Sequence, residues 1–90
     1  MTIFYNNGKT LAIFTKNENG KYVGDFTCYW FNGNLCGMCS YHADGSEKRV
    51  GMYEYYTFEG DLYKKGSFDS NGKNEKIYFS LNPLDKICKD

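Results

Sequence analysis

Gly24-Asp25-Phe26-Thr27-Cys28-Tyr29-Trp30-Phe31-Asn32-Gly33 returns 27 residues later as Gly51-Met52-Tyr53-Glu54-Tyr55-Tyr56-Thr57-Phe58-Glu59-Gly60. Each copy runs from a glycine through an aromatic-rich stretch to an amide or acidic residue and a second glycine. Aromatics between glycines favour a strand entering a tight hairpin over a helix. The offset of 27 extends beyond the two copies, carrying Leu35 onto Leu62, Tyr41 onto Phe68 and Gly45 onto Gly72. Upstream, Gly8 and Gly20 precede Gly33 and Gly45 by 25, so a degenerate first copy begins near Phe4. A fixed period of this size marks units that stack to bury a face none buries alone.

Turn signals recur at short intervals: Asn6-Asn7-Gly8, Asn17-Glu18-Asn19-Gly20, Asn32-Gly33, Ala43-Asp44-Gly45-Ser46, Glu59-Gly60-Asp61 and Ser70-Asn71-Gly72. Asn and Gly tolerate the positive φ of such turns. Between them lie candidate strands at 2–6, 10–16, 22–31, 34–42, 49–58, 61–69 and 75–81. The expected fold is all-β: a single antiparallel β-meander sheet of about seven strands over 1–82, followed by a short C-terminal tail, 83–90. Leu84 to Asp90 read as one helical turn or a frayed end.

Treating Asn32-Gly33 as a two-residue turn pairs Trp30 with Leu35, Tyr29 with Cys36 and Cys28 with Gly37. One repeat on, the same register pairs Glu54 with Lys65, Tyr56 with Tyr63 and Tyr53 with Gly66. Cross-strand pairs of this kind contribute about 0.2–1 kcal/mol each. Tyr53 is expected over Gly66, and Phe26 near Gly37. Alternation then assigns Phe26, Cys28, Trp30, Leu35, Cys39, Tyr41, Tyr53, Tyr55, Leu62 and Phe68 to one face. The other takes Tyr29, Phe31, Cys36, Met38, Tyr56, Phe58 and Tyr63 among Asp25, Thr27, Glu54 and Lys65. Both faces are aromatic and no helix is available to cover the second, so a strong curl, a partner or a second copy must do so.

Composition narrows the function classes. Ninety residues suffice for one small domain. Nine Tyr and seven Phe suit half-wet strands better than a helical bundle. Eleven acidic and eleven basic side chains balance, which disfavours a duplex nucleic-acid binder. Single-strand stacking on the aromatics lacks a basic groove. Met1–Gly8 has neither the basic start nor the apolar run of a leader, and a cytoplasmic protein with thiol cysteines is the expectation.

Cys36-Gly37-Met38-Cys39 with His42 has the outline of a C-x2-C-x2-H metal site. In mid-strand, however, residues three apart point to opposite faces, and only a bulge at Gly37 would let Cys36 and Cys39 converge. Cys28 and Cys39 share a face, so a disulfide between them is geometrically conceivable. The leading reading is three reduced thiols without metal. His42 has no assignable nucleophile beside it, and the carboxylates sit in turns or opposite lysines, so neither a general base nor a glycosidase pair is selected. No cofactor motif is present, and the chain reads as non-enzymatic. Lys48-Arg49 and Lys64-Lys65 are the only short basic clusters, and the neutral balance favours solvated faces over a phosphoinositide or membrane surface.

Tyr29-Trp30-Phe31-Asn32-Gly33-Asn34-Leu35, then Tyr41, Asp44-Gly45 and Gly51-Met52-Tyr53, resembles the bacterial variant of the MORN (membrane occupation and recognition nexus) repeat of YwqK-type antitoxin-like proteins. The pattern recurs as Tyr56-Thr57-Phe58-Glu59-Gly60-Asp61-Leu62, Gly66-Ser67-Phe68 and Asn71-Gly72, and covers about residues 4 to 80. It departs at Cys39, where glycine is usual, and by an insertion at Ser46–Arg49. The resemblance implies a scaffold that binds proteins. With the small size and the uncovered face, the expectation is a module neutralising another protein (a toxin, effector or host factor) as an immunity protein, antitoxin or mobile-element inhibitor. A homo-oligomeric structural repeat and a membrane-surface binder are the alternatives. Expected partner-binding residues are Tyr29, Phe31, Met38, Tyr56, Phe58 and Tyr63, with Glu54 and Lys65 at the rim.

Overall fold

The turns decide the register. In the computed structural model, which describes residues 1–81, five of six connections share one hydrogen-bond pattern. Tyr5, Asn17, Trp30, Thr57 and Asp69 each donate their N–H to the carbonyl four residues on, and accept at their own carbonyl from the glycine three residues on. Those glycines have φ between 76° and 100°, which closes a type I turn into a three-residue loop. The side chains of Asn7, Asn17, Asn32 and Asp69 accept from the N–H two residues ahead and hold each turn in shape. The sixth connection, lengthened by the insertion, closes from His42 N–H to the Lys48 carbonyl.

Seven strands result: β1 (Thr2–Phe4), β2 (Thr10–Lys16), β3 (Tyr22–Tyr29), β4 (Leu35–Tyr41), β5 (Arg49–Tyr56), β6 (Leu62–Phe68) and β7 (Lys76–Ser80). They lie in chain order in one antiparallel sheet. The sheet measures 43 × 34 × 14 Å, the thickness of one layer. Six of the seven expected strands overran by one or two residues at one or both ends, in β3 and β5 because Trp30, Phe31, Thr57 and Phe58 belong to turns. The tail from 83 onward, with its expected helical turn, lies outside the described residues.

An odd-length loop shifts the pairing by one residue, and a bulge restores it. Cys28 pairs Gly37 as expected and Gly24 pairs Tyr41, but Tyr29 meets Leu35, leaving Cys36 as the extra residue of β4. Likewise Tyr53 pairs Gly66 and Glu54 pairs Lys65, but Tyr56 meets Leu62, leaving Tyr63 extra in β6. In the first copy Leu11 is the extra residue. The expected pairs Trp30–Leu35, Tyr29–Cys36 and Tyr56–Tyr63 therefore do not form. Beyond each bulge the side chains exchange faces. The opening glycine of each copy serves a different bulge. Gly24 (φ 73°) and Gly51 (φ 71°) each start three residues that oppose a single partner, Phe14 and Cys39 respectively.

Two transverse rows define the faces. Ile3, Ala12, Cys28, Gly37, Tyr55, Lys64 and Ser80 are successive partners across all seven strands, as are Thr2, Ile13, Thr27, Met38, Glu54, Lys65 and Phe79. The first row lies on the core face, where Ala12, Phe14, Cys39 and Tyr53 are the buried hydrophobics. There Phe14, Tyr22, Phe26 and Tyr41 form a ring cluster with centroids 5.3–6.0 Å apart. Tyr53 continues it with Tyr55 at 5.3 Å and Phe68 at 5.4 Å. Such ring pairs contribute about 0.5–1.5 kcal/mol beyond burial. Cations cap the rings, Lys16 lying 5.0 Å from Tyr22 and Arg49 5.1 Å from Phe68. Arg49 Nη1 also donates to the Tyr55 hydroxyl at 2.7 Å. Tyr53 lies against Gly66 as expected, but the ring against Gly37 is Tyr55 from β5. Phe26 instead pairs with Cys39.

The copies are stitched through their turns. Tyr5 Oη donates to the Tyr29 carbonyl at 2.7 Å, and one repeat on Trp30 Nε1 donates to the Tyr56 carbonyl at 3.1 Å. Asn7 Nδ2 donates to the Phe31 carbonyl at 3.3 Å, and Asn32 Nδ2 to the Phe58 carbonyl at 2.9 Å. The period thus reflects a bonding requirement: a ring donor before the turn and an amide within it.

Burial on the core face gives the domain an alkaline limit. It pushes the Cys28 thiol from 9.0 to about 12, with Cys36 adding to the effect, and the Tyr41 phenol from 10.0 to about 12. Both groups are neutral when protonated. The unfolded chain releases these protons at the ordinary values, whereas the folded chain holds them to about 12. The stability is therefore full below pH 9 and falls as the pH climbs toward 12. Urea unfolding at pH 7, 9.5 and 11 should show a midpoint that falls at pH 9.5 and further at pH 11; a midpoint that stays level would contradict the burial of these groups.

Candidate functional site

The second transverse row places an interrupted band of apolar side chains on the face opposite the core, with Thr27 between Ile13 and Met38 and the Glu54–Lys65 pair between Met38 and Phe79. Ile13, Met38, Met52 and Phe79 are 45, 40, 52 and 41% exposed. Met38 sits between Thr27 and Glu54 in the row, while Met52 precedes Glu54 by two residues and so shares its side of β5. Met38 and Met52 line two shallow adjoining depressions, one of about 260 Å³ with Asp25, Thr27 and Ser40. The other, of about 200 Å³, includes Glu54. Polar groups in and beside the band are internally matched. Lys65 Nζ lies 3.4 Å from Glu54 Oε2, and Tyr56 Oη donates to Glu54 Oε1 at 3.0 Å. That bond to a carboxylate raises the Tyr56 phenol above its ordinary value. Ser40 Oγ donates to Asp25 at 2.9 Å.

Of the eight residues expected at the contact surface, Tyr29, Met38, Glu54, Tyr56 and Lys65 fall on this open face. Three do not. Phe31 and Phe58 project from turns, their rings packed edge-on against Tyr5 and Trp30 at 5.4 and 6.1 Å. Tyr63, carried over by its bulge, lines a depression with Trp30, Cys36 and Tyr55 on the core side. The sequence reading missed Ile13, Met52 and Phe79. Met52 was within reach of simple alternation from Glu54. Ile13 and Phe79 lie in β2 and β7, strands that the repeat register of the two clear copies does not reach.

The equivalent bulge in β4 corrects the placement of the cysteines. Cys36 is not on the far face but beside Cys28, whose thiol also contacts the Gly37 carbonyl at 3.6 Å. Cys28, Cys36 and Cys39 are free thiols. Among the described residues, no three His, Cys, Asp or Glu side chains are grouped so as to hold a metal ion. His42 Nδ1 accepts the Asp44 N–H at 3.0 Å, which ties the ring into its own turn. The basic pairs are divided: Arg49 lies over Tyr53 and Phe68, Lys64 is 3.8 Å from Glu75, and Lys65 faces Glu54. They make no contiguous cationic patch. No helix among the described residues is long and apolar enough to cross a membrane.

Compared with family models, curated proteins and solved structures, the chain matches none of them.

Proposed function

We propose that the chain is a non-enzymatic, MORN-like protein-binding module whose open face is its contact surface. The observation that carries this reading is the exposed band of Ile13, Met38, Met52 and Phe79 on a single-layer sheet. An exposed apolar patch on a small domain is characteristic of a contact surface, and methionine and aromatic residues are enriched in such surfaces. The Glu54 carboxylate in the band is already paired with Lys65, so a partner can cover it without stranding that charge. The partner class we infer is a toxin, effector or host factor that the module neutralises by capping it, an inference that rests on the repeat resemblance. The homodimer is the second reading, favoured by the same band, since a second copy would cover it equally well.

The test is a pull-down from the native host read by mass spectrometry, followed by titration of the purified partner. Replacing Met38 and Met52 together by Lys should weaken partner binding at least tenfold, about 1.4 kcal/mol or more. Both side chains are exposed, so the unfolding midpoint should barely move. A folded double variant that binds unchanged would move the interface off this face. Light scattering on the wild type separates the second reading: a particle of twice 10.4 kDa that reverts to monomer in the double variant identifies the partner as a second copy.

A further inference from the structure

The bulge in β4 brings together two thiols that strand alternation would keep apart. Tyr29 pairs Leu35 and Cys28 pairs Gly37, so Cys36 has no partner in the ladder and adjoins the residue opposite Cys28. In a regular strand Cys36 and Gly37 would point to opposite faces. Here Cys36 is turned to the core side, where it lines a depression with Trp30, Tyr55 and Tyr63. Cys28 lies on the same side, in the row of Ala12, Gly37 and Tyr55. The two thiols are within hydrogen-bonding reach of each other, and Cys28 Sγ also contacts the Gly37 carbonyl at 3.6 Å.

Geometry separates this pair from Cys39. Directly opposed residues of an antiparallel pair have Cα atoms about 4.5–5.5 Å apart, inside the about 4.4–6.8 Å that a disulfide spans. At a bulge two residues share that opposed position. Cys39 pairs Phe26 instead, which makes it a diagonal neighbour of Cys28. Diagonal neighbours lie about 7–8 Å apart, too far to bridge without moving backbone. Cys39 is also buried, whereas Cys28 and Cys36 are partly exposed.

We propose that Cys28 and Cys36 form a peroxide-sensitive thiol pair that closes to a disulfide across the β3–β4 hairpin. Cys36 borders the depression and meets the oxidant first. Its sulfur displaces hydroxide from hydrogen peroxide, giving a sulfenic acid and, with the thiol proton, one water. The Cys28 sulfur then attacks the Cys36 sulfur. The S–S bond forms, and the sulfenic oxygen leaves with the Cys28 proton as a second water. Two electrons pass from the thiols to the peroxide. Burial, with Cys36 adding to it, holds the Cys28 proton to about 12, which suits Cys28 to the resolving step rather than the first attack. The bridge ties the hairpin at the turn whose indole bonds the Tyr56 carbonyl of the next copy. It lies on the core side, away from the open face assigned to the partner.

The test treats reduced full-length protein with hydrogen peroxide and maps it by chymotryptic digestion, which cuts between Cys28 and Cys36 at Tyr29, Trp30 and Phe31. The wild-type monomer should lose two maleimide-reactive thiols and yield Cys28 and Cys36 as one cross-linked peptide pair, and dithiothreitol should reverse both changes. Replacing Cys39 and Cys88 together by Ser should leave the bridge intact, and Cys36→Ser should abolish the loss of thiols. A bridge from Cys28 to any other cysteine, or between chains, overturns the proposal. So does a wild type whose thiols all stay reactive, or one in which Cys36 oxidises to the sulfinic acid while Cys28 stays reactive.

Discussion

Replacing Tyr53 by Ala should lower the unfolding free energy by about 3–5 kcal/mol. Tyr53 is 2% exposed and is the largest fully buried side chain among the described residues. Its ring packs 5.3 Å from Tyr55 and 5.4 Å from Phe68 and lies against Gly66, with Arg49 and Lys64 over it at 5.8 and 6.0 Å. Removing the ring leaves a void that a hydrogen-bonded single-layer sheet cannot collapse to fill. The Tyr53 hydroxyl also donates to Glu75, and burial together with this carboxylate raises the phenol well above its ordinary value. A domain of this length has a total stability of roughly 5–13 kcal/mol. The Ala variant should therefore lose a large share of its stability. Tyr53→Phe keeps the ring and loses only the bond to Glu75, for about 1.5–3 kcal/mol. Urea unfolding followed by circular dichroism measures both, and a Tyr53→Ala loss no larger than that of Tyr53→Phe would mean the ring is not the centre of the core.

The meander was legible because turn chemistry is local. Each Asn or Asp with its following Gly announces a reversal, and seven strands between six reversals leave little topological choice. The register through Cys28–Gly37 and Glu54–Lys65 was legible for the same reason. What the residues did not announce was loop length. Asn32-Gly33 fits a two-residue turn as readily as the last two positions of the three-residue loop that forms, and the difference is one residue of register. That single residue is absorbed by bulges at Cys36 and Tyr63, neither of which is a glycine. Nothing in the side chains marked the exchange of faces that follows. The candidate site was accordingly legible up to the bulges: Met38, Glu54 and Lys65 were placed correctly, while Tyr63 was not. Phe31 and Phe58 misled for a related reason. Their ring propensity suits a strand, but the backbone bonds of Trp30 and Thr57 had already committed them to turns.

The glycines inside β4 and β6 should prove less replaceable than Gly8 in the first turn. A Cβ on Gly66 would lie 2.5 Å from the Lys76 carbonyl oxygen, 2.5 Å from the Tyr53 hydroxyl and 2.7 Å from its Cζ. On Gly37 it would meet Tyr55 Cδ1 at 2.5 Å and the Glu54 carbonyl oxygen at 2.9 Å. Backbone carbonyls and packed rings do not yield as a flexible side-chain end would, so each change to Ala should cost about 3 kcal/mol. Gly8→Ala makes the opposite case: its Cβ would meet nothing within 4 Å, and only the φ of 84° penalises it, by about 1–2 kcal/mol. Chemical denaturation should therefore rank Gly66→Ala and Gly37→Ala well below Gly8→Ala in stability. The cause is separable by a double-mutant cycle. At Gly37 the nearest obstacle is the Tyr55 ring, so Tyr55→Ala should relieve part of the Gly37→Ala penalty, with a coupling of at least about 1 kcal/mol. Strict additivity would shift the obstruction to the Glu54 carbonyl and strip Tyr55 of its place as the ring that closes the sheet over β4.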